Sequence, residues 1–428
     1  MTRLVPLLLL LGCPPATKPP PEAEVDSPSL LDVDEAAIAA VRVVGVSGVT
    51  ELGSASAWSA AGEPLVGAPG GDGAVLLAAT GTSPVVAAVL ATGSAEEGLG
   101  AGLAVGSHDG TAWFGVGSNP GNRVVVGDEV SSGAAWTGDP KETEDAGESL
   151  VFGDIDGDGV DELLVGVPRS GAYRQYAGAV YVIAGPEVAT GGALADATMM
   201  LSTGDISSRF GTALAVADVD ADGAGDVIVG APETGAVYAW SGPPALAGTE
   251  ADWISTVSVK SLGFGNTLAA RFDDNGGTLV VGVPELGSVG VYTLPLPPGA
   301  MDTSKSLVFA GFAPDLDAEG DDFATVSLAD LNDDGLSDLV AGLAGFATFA
   351  IRLQHDTTTG EDPNFRYFDA PILFHSPEPD RTGQSLAVGP DLDGDGGHEL
   401  LVGAPEGDGG AGYAWLVWSE AWLGVSGE

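Results

Sequence analysis

The sequence predicts an all-β protein, a seven-bladed β-propeller with four-stranded blades, on three observations. Its apolar residues fall in short runs of Val, Ala and Leu, punctuated by 66 glycines and 28 prolines, a texture of strands and turns rather than helices. Those runs end on glycines that recur: Gly67, Gly115, Gly166, Gly230, Gly282, Gly342 and Gly403, a mean spacing of 56 residues. Each repeat also carries the same internal order of four strand-like segments.

That order begins with a Gly-rich entry and a small apolar strand, as in RFGTALAVAD and TGQSLAVGP. A polar loop, a strand of the type LLVG, a Gly-Ala-Pro turn and a strand such as GAVYVI follow, then a variable outer segment such as ATMMLST. Four short strands cannot bury both faces alone. Packing the units radially around an axis buries them, and the unbroken apolar character of LLVG and VIVG fits a strand covered on both sides. The repeats fill residues 41–428 and leave no room for a second domain. The last unit ends at GYAWLVW without a clear fourth strand, whereas VRVVGV (Val41 to Val46) precedes the first. The N-terminal strand is therefore expected to complete the last blade and leave no open edge.

Residues 1–13, MTRLVPLLLLLGC, combine Arg3, a short apolar run and Leu10-Leu11-Gly12-Cys13. They resemble the signal peptide and lipobox of a bacterial lipoprotein, which implies cleavage before Cys13, a lipid on its sulfur and attachment to the cell envelope. The apolar run falls short of the roughly 20 residues that span a bilayer. Residues 14–40 are rich in proline and acid and read as an extended tether. Cys13 is the single cysteine, so no intrachain disulfide forms.

Sixty-one acidic residues against 14 basic ones give a formal charge of −47. Such a surface repels nucleic acid and anionic lipid headgroups and attracts cations. Four repeats concentrate acid just before the LLVG strand: DIDGDGVDE from Asp154, DVDADGAGD from Asp218, DLNDDGLSD from Asp330 and DLDGDGGHE from Asp391. Oxygen side chains occupy loop positions 1, 3, 5 and 9, glycine stands at 6, and position 7 would offer a carbonyl. Alternate oxygens in a tight turn converge on one point and repel unless a hard dication sits there, and an oxygen-only set selects calcium over zinc or copper. This is no EF-hand, because position 12 is Val165, Val229, Ala341 or Val402 within a β-type run.

The repeats resemble the FG-GAP family, the propeller of integrin alpha subunits and of many bacterial surface proteins. Phe210-Gly211 with Gly230-Ala231-Pro232, and Phe264-Gly265 with Gly282-Val283-Pro284, carry the motif. The resemblance implies about four calcium sites. Their ligands would be Asp154, Asp156, Asp158 and Glu162; Asp218, Asp220, Asp222 and Asp226; Asp330, Asn332, Asp334 and Asp338; and Asp391, Asp393, Asp395 and Glu399. Carbonyls of Val160, Ala224, Leu336 and Gly397 would complete the shells. The first, second and fifth repeats depart from the pattern; Asp273 and Asp274 in the fifth are out of phase, and no calcium is expected there.

No catalytic constellation stands out. His108, His355, His375 and His398 are scattered, and neither a G-x-S-x-G elbow nor a phosphate-cradling Gly-Lys-Ser/Thr loop occurs. His398 reads as an exposed filler. The expectation is a non-enzymatic, monomeric adhesion or scaffold propeller that binds an unidentified protein and meets the membrane only through its lipid. A glycan-binding surface is the alternative, with Trp58, Trp113, Trp136 and Trp253 as sugar-stacking candidates against a packing role between blades, and a hydrolase a further one.

Overall fold

The computed structural model describes residues 30–32, 40–44, 50–71, 73–78, 85–91, 97–108, 110–128, 132–139, 145–172, 176–203, 205–242, 253–256, 263–273, 276–284, 288–295, 308–311, 325–355, 367–368 and 372–423. Residues 1–13, with Cys13, lie outside the described residues.

The chain folds as an all-β propeller. In the third repeat Leu150–Gly153 pairs antiparallel with Glu162–Val167, which pairs with Ala179–Ile183, which pairs with Met199–Leu201. The LLVG strand is buried along its whole length because sheets cover both its faces. The pattern recurs in Leu214–Ala217, Asp226–Ala231, Ala236–Trp240 and Trp253–Thr256, and again in Leu268–Asp273, Gly276–Val283, Ser288–Leu294 and Val308–Gly311. Seven sheets of four or five strands, mainly antiparallel, are present among the described residues, beside a small pair of Gln354–His355 and Tyr367–Phe368. The first strand of each sheet touches the first strand of the next, and Ser56–Trp58 of the first sheet touches Leu386–Val388 of the last.

The chain ends meet where the sequence places them. Ala40–Val44 pairs antiparallel with Tyr413–Val417 as the outer strand of the last sheet. Arg42 lies 3.8 Å over the Tyr413 ring and 2.6 Å from the Asp408 carboxylate, and the Tyr413 hydroxyl donates to Asp380. Two additions were not legible. Gly192–Ala193 extends the second sheet in parallel beside Trp136-Thr137. Leu30–Asp32, inside the span expected to be tether, pairs in parallel with Ile372–His375, whose open backbone edge offers the hydrogen bonds.

Neighbouring sheets meet at glycines. A Cβ built on Gly230 would lie 1.9 Å from the carbonyl oxygen of Gly265 in the next sheet, and Gly166 meets Gly211 at 2.3 Å in the same way. Gly67 with Gly100, Gly342 with Gly383, and Gly403 with Gly53 repeat the contact, the last joining the final sheet to the first. In the second repeat the residue in this role is Gly117, 1.8 Å from the Gly147 oxygen, whereas a Cβ on Gly115 reaches only 3.4 Å from Phe152. The sequence register there was thus two residues early, because FGVG offers two glycines and only the blade contact distinguishes them.

Gly230→Ala should therefore cost about 3 kcal/mol of stability or prevent folding, and Gly115→Ala less than about 1 kcal/mol, measured by urea unfolding. Equal effects would remove the blade contact as the reason for the repeat.

Candidate metal centres

The four acidic loops join the first and second strands of their sheets and adopt one hydrogen-bonded form. The carboxylate at position 1 folds back over the turn. Asp154 Oδ1 accepts from the Gly157 amide at 2.6 Å and Oδ2 from Gly159 at 2.9 Å; Asp391 does the same with Gly394 at 2.6 Å and Gly396 at 3.0 Å. Asp218 holds the amides of Asp222 and Gly223, and Asp330 those of Asp334 and Gly335. Position 3 then accepts from the amide of position 5, and position 5 from that of position 7, in all four loops. The bend needs left-handed backbone at positions 4 and 6. Gly159, Gly223, Gly335 and Gly396 supply position 6, while position 4 is Gly157, Ala221, Asp333 or Gly394. Around Gly157, Gly159, Gly223 and Gly335 there is open space for a Cβ, so conformation and not crowding selects glycine.

Position 9 begins the buried second strand, which sinks its carboxylate below the turn. Glu162, Asp226, Asp338 and Glu399 are at most 4 % exposed. Each accepts the amide of position 2: Ile155 at 3.2 Å, Val219 at 2.6 Å, Leu331 at 2.8 Å and Leu392 at 2.8 Å. A second amide reaches Glu162 from Gly185 at 3.1 Å and Asp226 from Gly242 at 2.9 Å. The residue equivalent to those glycines in the last sheet is Ser419, whose hydroxyl donates instead to Asp395 at 2.7 Å. Oε1 of Glu399 is left buried without a hydrogen-bond partner.

Positions 1, 3 and 9 converge. Oxygens of Asp154, Asp156 and Glu162 lie within 4.8 Å of one another, as do those of Asp218, Asp220 and Asp226, and of Asp391, Asp393 and Glu399. The third loop has the same fold with two carboxylates, Asp330 and Asp338, and the amide oxygen of Asn332 at position 3. Position 5 stands apart: Asp158, Asp222 and Asp395 are outside these carboxylate groups. Burial raises the pKa of Glu162, lifts Asp226 to about 6 and lifts Glu399 to about 7. Asp391 is pulled down, chiefly by the Gly394 amide. An all-oxygen set with an orphaned buried carboxylate oxygen suits a hard divalent cation.

The other singled-out residues serve packing. Trp58 donates its indole N–H to Ala387 O at 3.2 Å in the last sheet, and Trp136 donates to Val188 O at 3.1 Å while 3 % exposed. Trp113 packs against the core of the third sheet, which contains Leu163 and Val165. His398 is not an exposed filler: it is half-buried, with Nδ1 2.7 Å from Gly389 O and its amide on Leu331 O. His375 Nδ1 lies 3.0 Å from the Thr348 hydroxyl. The side chains of Trp253, Asp273, Asp274, His108 and His355 lie outside the described residues. The amides of Gly185 and Gly242 were missed from the sequence; the matching Gly-Pro at 185–186 and 242–243, two residues past the third strand, was the available signal.

Residues 146–183, 210–240 and 382–417 match the model of the FG-GAP repeat. Human phosphatidylinositol-glycan-specific phospholipase D is 32% identical over 152 residues, 32% of this chain and 18% of that protein. Mouse integrin alpha-IIb is 34% identical over 161 residues, 34% of this chain and 15% of the relative, and Xenopus laevis integrin alpha-4 is 37% identical over 103 residues, 22% and 10%. The match thus spans less than a fifth of each relative. Among solved structures, a streptogramin B lyase superposes with a TM-score of 0.52 at 9% identity, covering 88% of this chain and 96% of that one. Virginiamycin B lyase from Staphylococcus aureus gives 0.51 at 9% identity, covering 88% and 98%. At that identity these two share the propeller fold alone.

Asp226 and Glu399 hold protons more tightly folded than unfolded, so ion-free protein should lose stability as pH rises through about 6 to about 7. In chelator, the urea midpoint should fall between about pH 5 and pH 8, and saturating divalent cation should flatten that decline by replacing the proton. A midpoint that rises with pH in chelator would refute this.

Proposed function

We propose that the chain is a seven-bladed, calcium-loaded FG-GAP propeller that acts as a protein-binding module for adhesion or scaffolding, without catalytic activity of its own. The observation that carries the reading is the recurrence of one acidic loop fold at the same corner of four sheets, with the position 1, 3 and 9 carboxylates gathered in three of them and Glu399 Oε1 lacking a partner. The blade number is supported by the ring of contacts between first strands, which returns from the last sheet to the first. A structural role for calcium is supported by the place of the loops, each clamping the first strand of a sheet to the second. Resemblance to segments of two integrin alpha chains supports the protein-binding role. Trp58, Trp113 and Trp136, three of the four tryptophans offered for sugar stacking, are engaged in packing or hydrogen bonds, which disfavours the glycan reading.

Cleavage before Cys13 and a lipid on it would hold the propeller at the envelope of a bacterium, through the proline-rich segment. No helix among the described residues is long and apolar enough to cross a membrane.

Calcium at tenfold above its dissociation constant should add about 1.4 kcal/mol of stability per site, or about 5–6 kcal/mol for four. Replacing Asp156 and Glu162 together by Asn and Gln should lower the bound calcium by one ion per chain in equilibrium dialysis. Capture of envelope proteins on immobilised propeller should weaken in chelator and return with calcium. No calcium bound by the wild type, or capture indifferent to it, would sink the proposal.

A further inference from the structure

The acidic loops occupy one end of the sheets; the first strands begin at the other. There a cavity of about 760 Å³ lies among the opening residues of the first strands of all seven sheets. Of the chain's 14 basic residues, Arg209 and Arg381 line it, and its acids are Glu148 and Glu233. In a protein of formal charge −47 this is a locally balanced surface, and an anion meets less repulsion here than over the acidic exterior.

Both arginines stand just before the glycine-bearing entry of their strands, at φ 53° and 59°. Glu51 and Asp145 stand at the same place in two other sheets, at φ 59° and 58°, and Gly98 and Gly263 in two more, so a left-handed residue is common to this corner and the arginines are the two that bring a cation to it. The Arg209 Nε is buried without a hydrogen-bond partner. Arg381 donates Nε to Gln384 Oε1 at 2.9 Å, and the Glu406 carboxylate lies 3.8 Å away on the exposed side. The cavity walls enclose the mouth enough to raise the Glu148 carboxyl above its usual range, and in so screened a setting a charge-assisted hydrogen bond gains strength. Asn266, Gln384 and Ser54 also line the space, together with Leu150, Leu214 and Leu268.

The geometry points to an axial binding site, on the face opposite the acidic loops, for a small ligand that carries one carboxylate or phosphate on a hydroxylated body, with Arg209 and Arg381 as its anchors. The site goes beyond the protein-binding role and does not depend on the cation loops. A planar guanidinium recognises either anion by paired N–H donors, and the amide and hydroxyl lining suits a polar body.

The test is calorimetric titration of the full chain, in calcium, with D-glucuronate, D-glucose 6-phosphate and neutral D-glucose. At least one anionic probe should bind and glucose should not. Preference for glucuronate assigns a carboxylate ligand, and preference for the phosphate ester assigns a phosphate. Arg209→Met should weaken binding about tenfold, as expected for loss of one charge-assisted contact, and Arg381→Met should weaken it too. Both side chains are half-buried, and a melting temperature measured on each variant separates loss of binding from loss of fold. If one variant fails to fold, the other carries the comparison. Failure of both anionic probes to bind the wild type, equal binding of glucose, or wild-type affinity in a folded variant would overturn the site. Calcium-dependent stability stands or falls separately.

Discussion

In six of the seven sheets a glycine of the second strand lies against the entry glycine of the next sheet, so close that a Cβ would fall about 2 Å from a carbonyl oxygen. This steric constraint sets the spacing of the ring. It brings the apolar second strands between covering layers, which is why Glu162–Val167, Asp226–Ala231 and Asp338–Leu343 are buried throughout. The contact between Gly403 and Gly53 applies the same rule across the seam where the chain ends meet.

The geometry of the acidic loops follows from that packing. The acid at position 9 is buried because it opens a strand that the glycine contact holds inside the ring, and the turn above it must double back over the strand end. Amides answer most of its oxygens, from position 2 and, in two sheets, from a glycine beyond the third strand. The last sheet has Ser419 in place of that glycine, and the acid beneath is the one with an orphaned oxygen and the pKa of about 7. That oxygen is the uncompensated charge of the four loops.

The repeat, the strand order and the strand that joins the chain ends were legible because each is a local pattern copied many times. Where the chain departs from its own pattern, legibility failed. FGVG presents two glycines, and only the contact with Gly147 selects Gly117. Leu30–Asp32 and Gly192–Ala193 join sheets as parallel edge strands, and nothing local marks the partner of an edge. In the loops the phase of the oxygens gave positions 1, 3, 5 and 9; the carboxylates of positions 1, 3 and 9 gather in three of the loops, and the position 5 carboxylate accepts the position 7 amide. A sequence shows that an oxygen is present; which hydrogen it accepts depends on the turn.

The antiparallel pairing of Ala40–Val44 with Tyr413–Val417 has a consequence for how the molecule is made. The ribosome releases the early strand first, and its partner emerges only after the intervening sheets. Throughout that interval the early strand has an unanswered row of amides and carbonyls, the kind of edge that recruits foreign strands. Birth of this protein is therefore its most adhesive moment, and an escort that shields a bare β-edge during translation would be of most use to it then.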